Sequence, residues 1–95
     1  MTTSSAAPDS LYRALADHTR RVLMDELQLR ADQSLFELTT KLVVDHGITS
    51  TRQAVSQHLA VLESAGLVHT RREGRTKLHR FDPTPLLAIH ERWPV

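Results

Sequence analysis

Ninety-five residues, 40% of them hydrophobic and 24% charged, amount to one small domain with apolar material for a single modest core. The absence of cysteine excludes disulfides, cysteine-containing zinc fingers, iron–sulfur clusters and thiol catalysis. The formal net charge of +1 is unevenly spread: residues 1–49 hold five Lys/Arg against seven Asp/Glu, and residues 50–81 hold six against two, a change from −2 to +4. A basic second half on a near-neutral chain is the electrostatic footprint of a surface that docks on phosphate.

The opening residues 1–9 are small and polar and read as a flexible tail, followed by one domain over residues 10–93. Asp9 or Ser10 is placed to cap a short helix, Leu11–Ala16, with Leu11 and Leu15 on one face. Asp17 is the expected cap of a second helix, His18–Arg30, with Val22, Leu23, Leu27 and Leu29 inward and Arg20, Arg21, Asp25 and Glu26 wet. Ser34 and Glu37 form a capping box for a third helix that carries Leu35, Leu38, Leu42, Phe36 and Val43 inward and ends near Gly47. Ser50 and Gln53 form a second box, so a fourth helix is expected over about Thr51–Ala65, with Val55, Leu59 and Leu62 inward and Gly66 as its stop. Two helices joined by a short Gly-containing turn are the helix-turn-helix pattern.

Leu67–Arg72 and Thr76–Phe81 alternate with a period of two around Glu73-Gly74, which predicts a hairpin covered through Leu67, Val68, Leu78 and Phe81. Such a hairpin needs a third short strand or a helix for support. Asp82-Pro83 starts a last helix, about Pro83–Trp93, carrying Leu86, Leu87, Ile89 and Trp93. The fold class is therefore mainly α with a small β-hairpin: a winged helix-turn-helix of about five helices and a two-stranded wing.

Once the inward positions of the fourth helix are removed, Thr51, Arg52, Gln53, Ser56, Gln57 and His58 remain near its start. Arg pairs with guanine, Gln with adenine, and Ser or Thr with bases or phosphate. An ordinary solvated helix face is rich in Glu and Lys, and residues 50–61 contain neither. Arg71, Arg72, Arg75 and Lys77 crowd the hairpin and suit phosphate or the electronegative minor groove. His69 and His79 could approach one another across the hairpin, but none of the six histidines has a recognisable ligand spacing, and no metal or cofactor is expected. No nucleophile elbow or phosphate-binding glycine loop is present, so an enzyme is not expected. No apolar run is long enough to span a membrane and no signal-peptide region is seen, which points to a cytoplasmic protein.

Leu15–Leu27 (LADHTRRVLMDEL), Arg52–Val68 (RQAVSQHLAVLESAGLV) and Thr70–Asp82 (TRREGRTKLHRFD) resemble the ArsR-type winged-helix repressors. The resemblance runs from about Ser10 to Trp93 and implies a homodimer on a roughly palindromic operator in double-stranded DNA, relieved by an effector. It places the dimer contacts on the first and last helices, here Leu11, Leu15, Leu86, Leu87, Ile89 and Trp93. Members that sense arsenite, cadmium or lead use third-helix cysteines, and those that sense zinc or nickel use spaced Asp/His pairs in the last helix. This chain has no cysteine and offers only Asp82, His90 and Glu91 there, so the resemblance is to a cysteine-free branch and leaves the effector unassigned. Two alternatives stay open: a winged-helix protein-interaction module without DNA readout, and a regulator that senses metal through His and carboxylates.

Overall fold

Residues 8–95 are described by a computed structural model, in which the chain runs α1 (Asp9–Leu15), α2 (His18–Leu29), β1 (Gln33–Ser34), α3 (Leu35–His46), α4 (Arg52–Ser64), β2 (Val68–Glu73), β3 (Thr76–Phe81) and α5 (Leu87–Arg92), with a 3-10 turn at Thr84–Leu86 before α5. The strands form one antiparallel sheet in the order β1-β3-β2. The predicted winged helix is present, and the support its hairpin requires is the two-residue β1, paired through Gln33 with His79 and Ser34 with Leu78. The expected tail lies outside the described residues except for Pro8 and Asp9. Asp9 belongs to α1, and Pro8 occupies the capping position without a side-chain bond, so neither Asp9 nor Ser10 is the cap.

Local hydrogen bonds explain most helix boundaries. The Asp17 carboxylate accepts from the Arg20 backbone N–H at 3.1 Å and starts α2. The carbonyls at the end of α1 are satisfied largely by α2: Arg20 Nε donates to Ala14 at 3.0 Å, Arg21 NH1 to Leu15 at 2.7 Å, and Arg20 NH2 at 2.8 Å joins the Ala16 N–H on Arg13. Both halves of the Ser34–Glu37 capping box form, at 3.1 and 2.9 Å, and start α3. Gly47 closes α3 at φ 66°, where a Cβ would be strained, and the Ile48 N–H returns to Leu42.

The core joins Leu11 of α1, Leu23 and Leu27 of α2, Leu38 and Leu42 of α3, Val55, Leu59 and Leu62 of α4, and Leu67 and Val68 at the foot of the hairpin. Burying each such side chain stabilises the fold by about 1.5–3 kcal/mol. Four expected positions differ. Phe36 and Val43 are 63% and 45% exposed because they lie roughly 150° round α3 from the buried Leu38, at 100° per residue. Leu29 shares the face of Val22 but is the last residue of α2, and it is 81% exposed. Glu26, expected to be wet, is only 7% exposed: it sits four residues after Val22 on the inner face. A buried carboxylate needs partners, and Glu26 receives His46 Nε2–H at 2.8 Å, with Lys41 Nζ at 3.9 Å.

The last helix departs from a continuous Pro83–Trp93. Asp82 Oδ1 accepts from the Thr84 N–H at 2.9 Å, and Leu86 N–H bonds back three residues to Pro83, so the first turn is 3-10 and α5 is only Leu87–Arg92.

Candidate nucleic-acid interface

Helix α4 begins one residue later than the Ser50–Gln53 pattern suggested. Thr51 is the cap, its Oγ1 accepting from the Ala54 N–H at 3.0 Å, and Arg52 is the first helical residue. The hydroxyl expected to support a DNA contact is thus engaged in starting the helix. Val55, Leu59 and Leu62 anchor one side of α4 in the core, and Arg52, Gln53, Ser56 and Gln57 stand exposed on the other. These four residues fall within an arc of about 140° at 100° per residue, so a single surface could meet all of them.

His58 does not share that surface. It is half-buried against the junction of α1 and α2, where Arg20 NH1 approaches its Nδ1 at 3.1 Å. Arginine carries only donors, so this ring nitrogen accepts. Asp17 Oδ2 lies 3.8 Å from the same nitrogen. Burial acts to raise the Asp17 carboxyl, but the Arg20 N–H, the Arg20 charge and the Thr19 N–H outweigh it and hold the group below its usual range. His58 therefore braces α4 onto the first two helices.

The wing register separates its cations. Arg72 lies opposite Lys77 and Arg71 opposite Leu78, and alternation along the strands puts the two pairs on opposite faces of the sheet. Glu73 pairs with Thr76, so the two-residue turn is Gly74-Arg75, with Gly74 at φ 63° as a hairpin of this length demands. Arg71 is within 3.5 Å of Asp32 and 3.4 Å of Glu73, contacts that raise its already high pKa. Lys77 lies 3.7 Å from Glu63 of α4. Among the described residues, Arg52, Arg72 and Arg75 have no carboxylate within 4.0 Å. Arg80, exposed on β3 opposite His69, is a further basic residue of the wing, set back from the hairpin tip where the sequence concentrates its charge.

Helix and wing meet at their ends. A shallow cleft of about 330 Å³ is lined by Phe36 from the first turn of α3, Arg52 from α4, and Arg75, Thr76 and Lys77 from the wing. No local pattern places Phe36 here, since a phenylalanine between two leucine positions of a helix is expected to pack inward. A narrower recess of about 170 Å³ separates α4 from β3, with Ser56, Leu59, Glu63 and Lys77 in its walls.

The terminal residues expected at a dimer contact divide into three groups. Leu11 is 0% exposed, so it holds α1 from within and has no surface to offer a partner. Leu15, Leu86 and Ile89 are half-buried against the core. Leu87 and Trp93 are exposed. Trp93 lies 6.1 Å from Tyr12, ring centre to ring centre, and the Arg92 guanidinium sits 4.5 Å from the Trp93 ring centre, so α1 and the end of α5 form one aromatic surface.

Four of the six histidines, His46, His58, His69 and His79, are drawn into hydrogen bonds. His69 and His79 occupy opposite faces of the hairpin and do not meet: His69 Nε2–H donates to Asp82 at 2.9 Å, and the buried His79 donates Nδ1–H to the Gln33 carbonyl at 2.9 Å. Among the described residues no group of three or more His, Cys, Asp and Glu side chains is arranged to hold a metal ion. No helix among them is long and apolar enough to cross a membrane.

No family model matches the chain. Over 85 residues, 90% of this chain and 92% of the relative, it is 41% identical to the HTH-type transcriptional regulator YuzN of Bacillus subtilis (strain 168). The ArsR-like transcriptional regulator from Rhodococcus sp. RHA1 superposes with a TM-score of 0.71 at 34% identity, covering 88% of this chain and 76% of that one. The homodimeric winged helix-turn-helix DNA-binding domain of Mb0332 from Mycobacterium bovis has the same fold, with a TM-score of 0.67 at 24% identity over 88% of this chain and 73% of that one.

Proposed function

From the premise that this chain belongs to the ArsR family of winged-helix DNA-binding transcriptional regulators, we propose that it is a homodimeric repressor that reads a roughly palindromic operator. The observation that carries the proposal is the exposed arc of Arg52, Gln53, Ser56 and Gln57 on a helix whose opposite side is fixed in the core. A rigid helix with bidentate donors and acceptors along one side matches the hydrogen-bonding edges of the major groove. Arg72 and Arg75, with Lys77 and Arg71 beside them, supply the charge that holds the wing on phosphate or in the minor groove. The aromatic surface of Tyr12, Arg92 and Trp93, extended by Leu87, is the contact between two copies. Two copies related by a two-fold axis present two α4 helices to half-sites about one helical turn, ~10 bp, or a multiple apart.

Selection of bound duplexes from a random pool tests all three elements together. The expected result is a two-fold-symmetric motif with half-sites at that spacing, and a reporter promoter carrying it falls silent when the protein is present. Failure to enrich any motif overturns the reading, and a motif without symmetric halves overturns the dimer.

A further inference from the structure

The proposed function leaves one prominent side chain unused. Phe36 is one of two phenylalanines in the chain, and it is 63% exposed at the start of α3. Holding a large apolar ring in water is unfavourable, and in a monomeric domain a single exposed aromatic is unremarkable until its neighbours are considered. Here the neighbours are cationic: the ring shares its cleft with Arg52 from α4 and with Arg75 and Lys77 from the wing tip. Arg52 and Arg75 have no carboxylate within 4.0 Å among the described residues.

The positive end of the α3 dipole does not explain the pattern. It is already answered by Glu37, whose carboxylate accepts from the Ser34 N–H at 2.9 Å and pairs with Arg30. What remains is the exposed Phe36 ring, with Leu35 also lining the cleft, beside three cations drawn from two other elements. The cleft is shallow and open, unlike the enclosed pockets that bury most of a small ligand's surface. A strand of duplex DNA has the complementary form, with phosphates alternating with apolar deoxyribose faces along its edge.

We infer that Phe36 is a DNA-positioning residue: its ring packs on one deoxyribose of each half-site while Arg75 and Lys77 hold the flanking phosphates and Arg52 faces the adjoining base edges. This rests on the proposed DNA-binding reading and extends it to α3, an element to which no contact has been assigned. The packing fixes where α4 enters the groove and adds no charge neutralisation. Its loss therefore changes affinity without changing the salt dependence, which counts phosphate contacts.

The test compares wild type, Phe36→Ala, Phe36→Leu and Arg75→Ala on a duplex enriched by the wild-type protein and on one of random sequence. Phe36→Ala is expected to bind the enriched duplex about tenfold more weakly with an unchanged slope of log K against log salt, and Phe36→Leu recovers most of the loss. Arg75→Ala lowers that slope by about one unit. Hydroxyl-radical cleavage, which reads access to deoxyribose, gains one position per half-site in Phe36→Ala. Equal binding and equal cleavage by Phe36→Ala and wild type overturn the inference and leave the proposed function standing. A changed oligomeric state in Phe36→Ala also overturns it, by assigning the ring to a protein contact. Wild-type protein that binds neither duplex overturns the proposed function, and this inference with it.

Discussion

Arginine does two different jobs in this molecule, and the contrast separates its scaffold from its working surface. At the junction of α1 and α2, Arg20 and Arg21 donate to the carbonyls of Arg13, Ala14 and Leu15, and Arg20 also reaches His58 of α4. On α4 and the wing, Arg52, Arg72 and Arg75 are exposed, with no carboxylate in reach among the described residues. Both sets carry the same charge, and each lies in a stretch locally rich in arginine. What distinguishes them is whether their donors are already satisfied inside the protein. Only unsatisfied donors are free to exchange water for a phosphate or a base edge.

The strongest way to break the contrast is at Arg20. Arg20→Ala removes donors from two helix-terminal carbonyls and from His58, and it should destabilise the protein by about 3 kcal/mol in urea unfolding. The salt slope of DNA binding should stay at the wild-type value, because no phosphate contact is lost. Arg52→Ala should do the reverse: unfolding within about 0.5 kcal/mol of wild type, and a loss of about 2 kcal/mol on the preferred site with relaxed sequence choice. An Arg52→Ala protein that discriminates its preferred site from random DNA as well as wild type would remove Arg52 from base reading.

Thr51 sits on the boundary between the two jobs. Its hydroxyl is engaged by the Ala54 N–H, so Thr51→Ala should destabilise by about 1 kcal/mol, whereas Thr51→Ser keeps the cap and should remain near wild type. If both variants unfold like wild type and both bind DNA less tightly, the side chain acts on DNA and not on the helix.

Elements governed by neighbours three or four residues away were legible in the sequence. The Asp17 cap, the Ser34–Glu37 box, the Gly47 terminus and the position of the wing all depend on such short spacings. The one-residue slip from Ser50 to Thr51 arose because two adjacent hydroxyl residues both offered a cap. Positions decided by distant packing were harder. Glu26 faces inward beside Val22 and is tolerated there because His46, twenty residues away, pairs with it, and β1 exists only because Gln33 and Ser34 meet β3. Hydrophobicity alone predicts that Phe36 and Val43 lie inside, yet their angle from Leu38 sends them outward. At the interface, the four exposed α4 residues could be separated from the core by periodicity alone. The engagement of His58 with Arg20, and of Lys77 with Glu63, required the folded neighbours.

The smallest effect tests the scaffold at its far edge, where the wing hands the chain to α5. Asp82 accepts from Thr84 and from His69, and these bonds, those from Thr84 foremost, hold its carboxyl at about 2, below the ordinary value of 3.8. A carboxylate whose pKa is depressed on folding contributes its stability above the unfolded-state value, and the contribution disappears as pH falls through the folded-state value. The gap in thermal midpoint between wild type and Asp82→Asn should therefore be constant from neutrality down to about pH 5 and close between about pH 4 and pH 2. Because Asp82 is solvated, the gap should be small. A gap that instead grows with acid would mean that the charge is unfavourable in the folded protein, and that the bond to Thr84 shapes the 3-10 turn without stabilising it. At neutral pH the same variant should leave the salt slope of DNA binding untouched. Asp82 is already paired with His69, so it belongs with Arg20 among the groups the fold has satisfied and not with Arg75 among those left for a partner.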